Sequence, residues 1–119
     1  MKEEINELVM ETTQSFNEYL KKLPKGCRTI SHLLRVNNIP EALTNILHFS
    51  EGAMWLIQTN ELLNQNGVYY SIQTEQINNF LNEINNGLEI QDYVLVADIF
   101  EYEIAPFFED TERIRGIES

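Results

Sequence analysis

The chain has 119 residues, the size of a single domain with its own hydrophobic core, and 43% of them are apolar, as is usual for a globular protein. Its formal net charge is −11, and the stretch from Val36 to Glu112 holds thirteen Asp and Glu residues and no Lys or Arg. Such a field repels phosphates and attracts basic protein surfaces, which argues against direct binding of DNA or RNA. The same acidity could instead serve only to keep the protein in solution.

No apolar run approaches the roughly 20 residues that a membrane span needs, so we expect no membrane partner. The N-terminal stretch MKEEINEL is charged from its second residue and lacks the apolar core of a signal peptide. We therefore expect a cytoplasmic protein. Cys27 is the single cysteine, so the chain cannot form an internal disulfide.

The first predicted helix runs from Glu3 to Lys22. Its apolar residues recur every three or four positions, the helical period, and are Ile5, Leu8, Val9, Thr12, Phe16, Tyr19, Leu20 and Leu23. Pro24 and Gly26 are expected to end this helix. The following stretch, Cys27 to Val36, is expected to form a short helix or turn.

The second long helix is predicted from Pro40, which suits a first helical turn, to about Asn66, just before Gly67. Its predicted buried stripe consists of Leu43, Ile46, Leu47, Ser50, Met54 and Ile57. Gly52 costs about 1 kcal/mol relative to Ala in a helix, so we expect a close packing contact there. After a connector over 67–73, a third helix is predicted from the N-cap Thr74, with Gly87 as its left-handed end.

The stretch from Asp92 to Asp110 is the densest apolar run and is predicted to be a helix with Asp92 as its N-cap. It carries two apolar stripes on nearly opposite sides. One stripe consists of Tyr93, Ala97, Phe100, Ile104 and Phe107, and the second of Leu95, Ile99, Tyr102 and Pro106. A surface helix needs one apolar stripe, so the second one predicts contact with further protein. Pro106 lacks an N–H and is expected to kink or end the helix.

These elements predict an all-α fold, an up-and-down bundle of four main helices plus one short helix. Short loops between the helices favour antiparallel neighbours. The chain, 1–119, is expected to be a single helical-bundle domain, with residues from about 111 to 119 as a frayed tail.

No residue pattern points to catalysis. His48 and Glu51 lie three apart on one helical face, but a di-iron bundle needs two Glu-x-x-His motifs and further carboxylates. Cys27 and His32 show no marker of an activated thiol. We therefore expect no enzyme activity, no cofactor and no bound metal.

The last third of the chain carries a recognisable pattern. After the predicted helix end at Asn86-Gly87, it consists of Asp92-Tyr93-Val94-Leu95, Ala97-Asp98, Glu101-Tyr102-Glu103 and Pro106. This pattern, DYVLxADxxEYExxP, resembles an uncharacterised family of small acidic helical bacterial proteins. The resemblance implies an accessory protein of motility or secretion loci and brings no catalytic residues.

The second stripe predicts a non-enzymatic protein that binds another protein, or a second copy of itself as a homodimer. The expected contact residues are Leu95, Ile99, Tyr102 and Pro106, with Asp98 and Glu103 beside them setting the charge preference. One alternative is an acidic inhibitor, of the immunity type or a DNA mimic, that covers a basic surface. Another is a metal-binding helical protein that uses His48 or Glu51.

Overall fold

The structure is a computed structural model that describes residues 2–69 and 72–111, with side chains from residue 6 onward. It contains α1 (Lys2–Arg35), α2 (Ile39–Gln65), α3 (Thr74–Glu89) and a continuous C-terminal helix. The C-terminal helix consists of α4 (Tyr93–Asp98), a π-helix (Ile99–Ile104) and α5 (Ala105–Asp110). No strand occurs within the described ranges, so the predicted all-α fold is confirmed. The frayed tail predicted from about residue 111 lies, beyond Thr111, outside the described residues.

The long helix α1 is the element on which α2 and the C-terminal helix both pack. Its 34 residues correspond to about 51 Å at 1.5 Å per residue, which is the whole 51 Å long axis of the protein. Its buried apolar side chains succeed each other at spacings of three and four and are Phe16, Leu20, Leu23, Cys27, Ile30 and Leu34.

The helix break predicted at Pro24 and Gly26 is wrong, because α1 runs through both residues. An interior proline costs a helix about 3 kcal/mol, whereas full burial of a single large apolar side chain returns about 1.5–3 kcal/mol. Since the apolar period continues unchanged beyond Pro24, burial of several such side chains outweighs the lost hydrogen bond. The short helix predicted over Cys27 to Val36 is therefore the last part of α1.

The second helix, α2, lies antiparallel to α1. Trp55, in the second half of α2, packs edge-on against Tyr19 with ring centroids 5.8 Å apart. His48, earlier in α2, lines a groove together with Cys27, which comes later in α1. Besides Thr59, the buried residues of α2 also recur at four and three and are Ala42, Ile46, Phe49, Ala53, Leu56, Asn60 and Leu63. The two helices thus form an antiparallel pair with the spacing of a coiled coil.

A series of aromatic rings joins α2, α3 and the C-terminal helix. Phe80 of α3 packs on Phe107, and Phe107 packs on Phe108, with ring centroids 5.3 and 5.0 Å apart. Phe49 of α2 then packs on Phe108 at 6.4 Å and on Phe100 at 5.2 Å. Edge-to-face pairs of this kind contribute about 0.5–1.5 kcal/mol each beyond the area they bury. Phe49 is accordingly a point at which α2 meets the C-terminal helix.

Three residues that follow helices have a left-handed backbone conformation. Positive φ values occur at Asn37, Gly67 and Gln91. The end predicted at Gly87 is wrong, because α3 continues to Glu89 and Gln91 takes the left-handed position. The amide of the next residue, Asp92, then donates to the Gly87 carbonyl over 2.9 Å, which is the Schellman arrangement.

Gly87 instead marks the closest approach between α3 and the C-terminal helix. A β-carbon added at Gly87 would lie 2.7 Å from Cγ2 of Val96, which is fully buried. Because Gly87 meets Val96 while the earlier Phe80 meets the later Phe107, α3 and the C-terminal helix are antiparallel. The predicted up-and-down arrangement is thereby confirmed.

We expect Gly87→Ala to destabilise the protein and Gly26→Ala to stabilise it. Both glycines are helical, so alanine gains up to about 1 kcal/mol of helix propensity at each position. At Gly26 an added β-carbon meets nothing within 4 Å, whereas at Gly87 it meets a stiff, β-branched, buried side chain. We expect overpacking to cost about 1–3 kcal/mol at Gly87, which outweighs the gain in helix propensity and makes Gly87→Ala destabilising.

Urea unfolding of the two variants beside the wild type measures both effects, with Gly26→Ala as the matched control. Equal stabilisation by both substitutions would contradict the close approach of α3 to the C-terminal helix.

Candidate interaction surface

The C-terminal helix passes through Pro106 by means of its π-helix. In an α-helix the proline ring would clash with the carbonyl of Tyr102. Here the amide of Ala105 donates to the carbonyl of Phe100, five residues back, and α5 begins at once. A turn closed at this spacing holds more residues than an α-turn and opens room at the carbonyl. Pro106 therefore does not end the helix.

The structure separates the six residues predicted as partner contacts. Leu95 and Tyr102 are exposed by 42% and 66%, whereas Ile99 is exposed by only 2% and belongs to the core. Pro106 is half-buried. The change from buried Ile99 to exposed Tyr102 falls within the π-helix, whose wider turn changes the rotation per residue on which an unbroken stripe depends.

The two acidic members of that set differ in their surroundings. Asp98 accepts a hydrogen bond from Arg35 of α1 over 2.8 Å, so its charge is already paired within the chain. Glu103 is exposed, and its pKa is raised above the ordinary value, first by partial desolvation and then by the nearby Glu83 carboxylate. Asp98 thus has a cation beside it, whereas Glu103 forms no ion pair among the described residues.

A polar seam fixes the C-terminal helix on α1. Besides the pairing of Arg35 with Asp98, Arg28 forms an ion pair with Glu109. Between them, the Ser31 hydroxyl donates to Oε1 of Glu101 over 3.2 Å, and Nε of Arg35 lies 3.5 Å from the same oxygen. These contacts engage the two arginines of α1 within the protein.

The pKa values of Glu101 and Tyr102 reflect this seam. A hydrogen bond with the Tyr102 phenol is the largest cause that holds the pKa of Glu101 below its ordinary value, and Arg35 and Ser31 act in the same direction. The same hydrogen bond raises the pKa of Tyr102. Glu101 is therefore a structural carboxylate of the polar seam.

The largest difference from the sequence-based prediction lies on α2. Of the predicted buried stripe only Ile46 is buried, while Leu43, Leu47 and Met54 are exposed by 40%, 59% and 54%. Ser50 and Ile57 are half-buried. We call the set Leu43, Leu47, Ser50, Met54 and Ile57 the outer stripe.

Apart from Ile57, which packs partly against the core, the apolar residues of the outer stripe are excluded from it because α2 buries a longer stripe. The small residues Ala42 and Ala53 have no exposed surface, and Phe49 reaches the aromatic rings of the C-terminal helix. Alanine at these positions lets helices approach closely, which the outer stripe with its leucines would not. The signal that could have identified the buried side is its length, because it repeats without a break from Ala42 to Leu63.

The outer stripe faces away from α1. The side of α2 that lies against α1 carries His48, Gly52 and Trp55, on the opposite part of the helical circumference. The predicted close contact at Gly52 is found there, since an added β-carbon would lie 1.6 Å from the hydroxyl oxygen of Tyr19. The outer stripe thus lies on a part of α2 that α1 does not cover.

The charged side chains of α2 are all acidic. Glu41, Glu51 and Glu61 are exposed, and among the described residues no Lys or Arg forms an ion pair with them. Glu41 accepts a hydrogen bond from the neutral amide of Asn38 over 2.8 Å. Any surface that covers the outer stripe therefore meets uncompensated negative charge.

The remaining sequence candidates do not form a reactive site. Cys27 lines a groove of about 280 Å³ between α1 and α2, and burial raises the pKa of its thiol to about 12. His48 lies at the same groove, and Glu51 is exposed on the next turn of α2. Within the described ranges, no three His, Cys, Asp or Glu side chains are grouped as metal ligands. In the same ranges, no helix has the length and hydropathy to cross a membrane.

We expect Glu101→Gln and Glu103→Gln to change acid stability in opposite directions. The folded state lowers the pKa of Glu101, so this carboxylate contributes stability that is present above its unfolded pKa and is lost as the pH falls through the folded value. The folded state raises the pKa of Glu103, so the ionised Glu103 carboxylate opposes folding at neutral pH. This opposition disappears as Glu103 is protonated at lower pH.

Urea midpoints between pH 7 and pH 3 should therefore show Glu101→Gln less stable than wild type at pH 7, with the difference closing as the pH falls through about 4. Glu103→Gln, the matched control, should be as stable as wild type or more so at pH 7. A pH-independent loss in Glu101→Gln would mean that the seam does not depend on the charge of this residue.

Residues 11–114 match the model of a family described as a domain of unknown function, DUF8042. The matched region contains most of α1 and all of α2, α3 and the C-terminal helix. No curated protein and no solved structure matches the chain. The predicted resemblance to an uncharacterised family is confirmed, whereas the bacterial origin and the specific residue pattern stay predictions. The chain belongs to the DUF8042 family.

Proposed function

We propose that this chain is a non-enzymatic interaction domain that binds another protein through the outer stripe of α2. The observation that carries the proposal is the exposure of Leu43, Leu47 and Met54 in line on one regular helix. Exposed apolar residues scattered singly are ordinary, whereas a contiguous set on one helical face indicates a contact surface. Full burial of a Leu or Met side chain stabilises by about 1.5–3 kcal/mol, so covering these half-exposed side chains would contribute several kcal/mol to binding.

The C-terminal helix is the second candidate for the contact. Leu95 and Tyr102 remain accessible there, next to Val94. Its apolar residues are interrupted, however, because Ile99 packs inside, and Asp98 is already engaged by Arg35. The outer stripe is preferred because its exposed apolar residues, Leu43, Leu47 and Met54, lie in line on one regular helix.

Two features support binding over catalysis. The Cys27 thiol is protonated at neutral pH, since its pKa is raised to about 12, and a thiol in that state is a poor nucleophile. The Glu101 carboxylate is committed to Ser31 and Arg35. A buried free thiol also fits a reducing compartment, and the proposal takes the protein to be cytoplasmic.

An acidic inhibitor is the alternative within the same class of function. Glu41, Glu51 and Glu61 favour it, because they are exposed and form no ion pair with any residue that the structure describes. In that role, charge would supply most of the affinity, and binding would weaken steeply with added salt. The outer stripe would then be unnecessary for binding.

We expect Leu47→Glu to abolish partner binding without unfolding the protein. The Leu47 side chain is exposed, so the substitution should change the free energy of unfolding by no more than about 0.5 kcal/mol. Val94→Glu, which adds the same charge to an exposed apolar position of the C-terminal helix, is the matched control. Proteins captured from an extract of the source organism would be quantified for wild type and both variants, with light scattering to report mass.

The proposal requires a captured protein that Leu47→Glu loses and Val94→Glu retains. Loss with Val94→Glu alone would move the contact to the C-terminal helix. Unfolding of Leu47→Glu would place the outer stripe in the core and end the proposal.

A further inference from the structure

We propose that the partner covers the outer stripe with a cationic amphipathic helix. This inference rests on the proposed function and specifies the chemistry of the partner at the same site. The partner helix belongs to another protein and not to a second copy of this chain.

The shape of the outer stripe suits a helix laid along it. From Leu43 to Ile57 the stripe covers about 21 Å, at 1.5 Å per residue of one α-helix. Its members are spaced by four and three residues, the pattern that a helical partner meets with side chains at the same spacing. Ser50 lies at its centre between Leu47 and Met54, and a small residue there lets a second helix approach closely.

The charges beside the outer stripe select a basic partner. Glu51 directly follows Ser50, and Glu61 lies one turn beyond Ile57 in line with the stripe. Both are exposed and lack an ion pair among the described residues. Glu51 thus flanks the stripe and Glu61 lies at its end, and charges beside the apolar line set partner choice in paired helices. Lys and Arg on the flanks of the partner helix would complement them.

A second copy of this chain is the occupant that the charges disfavour. The sequence from Val36 to Glu112 contains no Lys or Arg, so two copies joined through α2 would bring two acidic helices together. Like charges brought together in an interface oppose association. Arg28 and Arg35 of α1 are held by the C-terminal helix, and Lys22 lies beside His48 and Trp55, on the side of α2 away from the outer stripe.

The test uses two synthetic peptides as probes. Both are amphipathic helices of about 18 residues with leucines at three and four spacing, about the length needed to cover the stripe. The first has Lys at every flanking position and the second has Glu. Fluorescence anisotropy of the labelled peptides, titrated with the full chain in low and high salt, measures the affinity.

We expect the Lys peptide to bind, the Glu peptide not to bind, and the affinity of the Lys peptide to fall as salt is raised. Leu47→Glu should weaken Lys-peptide binding at least tenfold, the loss expected from removing about 1.4 kcal/mol of contact energy. Glu51→Gln with Glu61→Gln should weaken it roughly two- to thirtyfold, since two exposed ion pairs contribute about 0.2–1 kcal/mol each. Glu11→Gln with Glu18→Gln on α1 makes the same change in net charge behind the stripe and should leave the affinity unchanged.

Equal weakening by the two double variants would overturn the inference, because the attraction would then be a general effect of net charge. Equal affinities for the two peptides would also overturn it. So would a wild-type dimer that Leu47→Glu converts to a monomer, since a second copy would then cover the stripe. In the first two cases, loss of the captured protein with Leu47→Glu would still uphold the proposed function.

Discussion

Burial of one continuous apolar stripe on α1 is the constraint on which the rest of the structure depends. The stripe crosses Pro24 and keeps the helix intact, because a break there would release Cys27, Ile30 and Leu34 from the core. α2 then packs along one side of this rod, and the C-terminal helix packs along another. The register of both is consequently set on α1, by apolar contacts towards α2 and by the polar seam towards the C-terminal helix.

The π-helix shows how a backbone adjustment changes the surface that a partner can reach. Pro106 cannot lie in a regular α-helix without cost, and the wider turn lets the helix continue through it. Within this π-helix Ile99 is buried and Tyr102 lies in solvent. The wider turn that admits Pro106 thus coincides with a break in the second apolar stripe of the C-terminal helix.

The fold class, the end of α2 before Gly67 and the N-cap at Asp92 could be predicted, because each depends on local periodicity or on a single capping residue. The side chain of Asp92 indeed accepts from the Leu95 amide over 3.0 Å. The continuity of α1 through Pro24 could not be predicted from local rules, since tertiary burial outweighs helix propensity there. The exposed side of α2 was likewise hidden, because two apolar stripes with the same spacing compete and the close approach of neighbouring helices decides between them.

The exposed apolar side of α2 is a surface on which another protein can pack. A helix that is apolar on most of its circumference needs cover on several sides. α1 and the aromatic rings of the C-terminal helix cover two of them, while α3 makes few contacts with α2. The uncovered side keeps leucine and methionine beside glutamates that no arginine or lysine of the described chain neutralises. A surface that is both apolar and basic complements one that is both apolar and acidic. The acidity of α2 therefore helps to determine which protein can bind there and complete its packing.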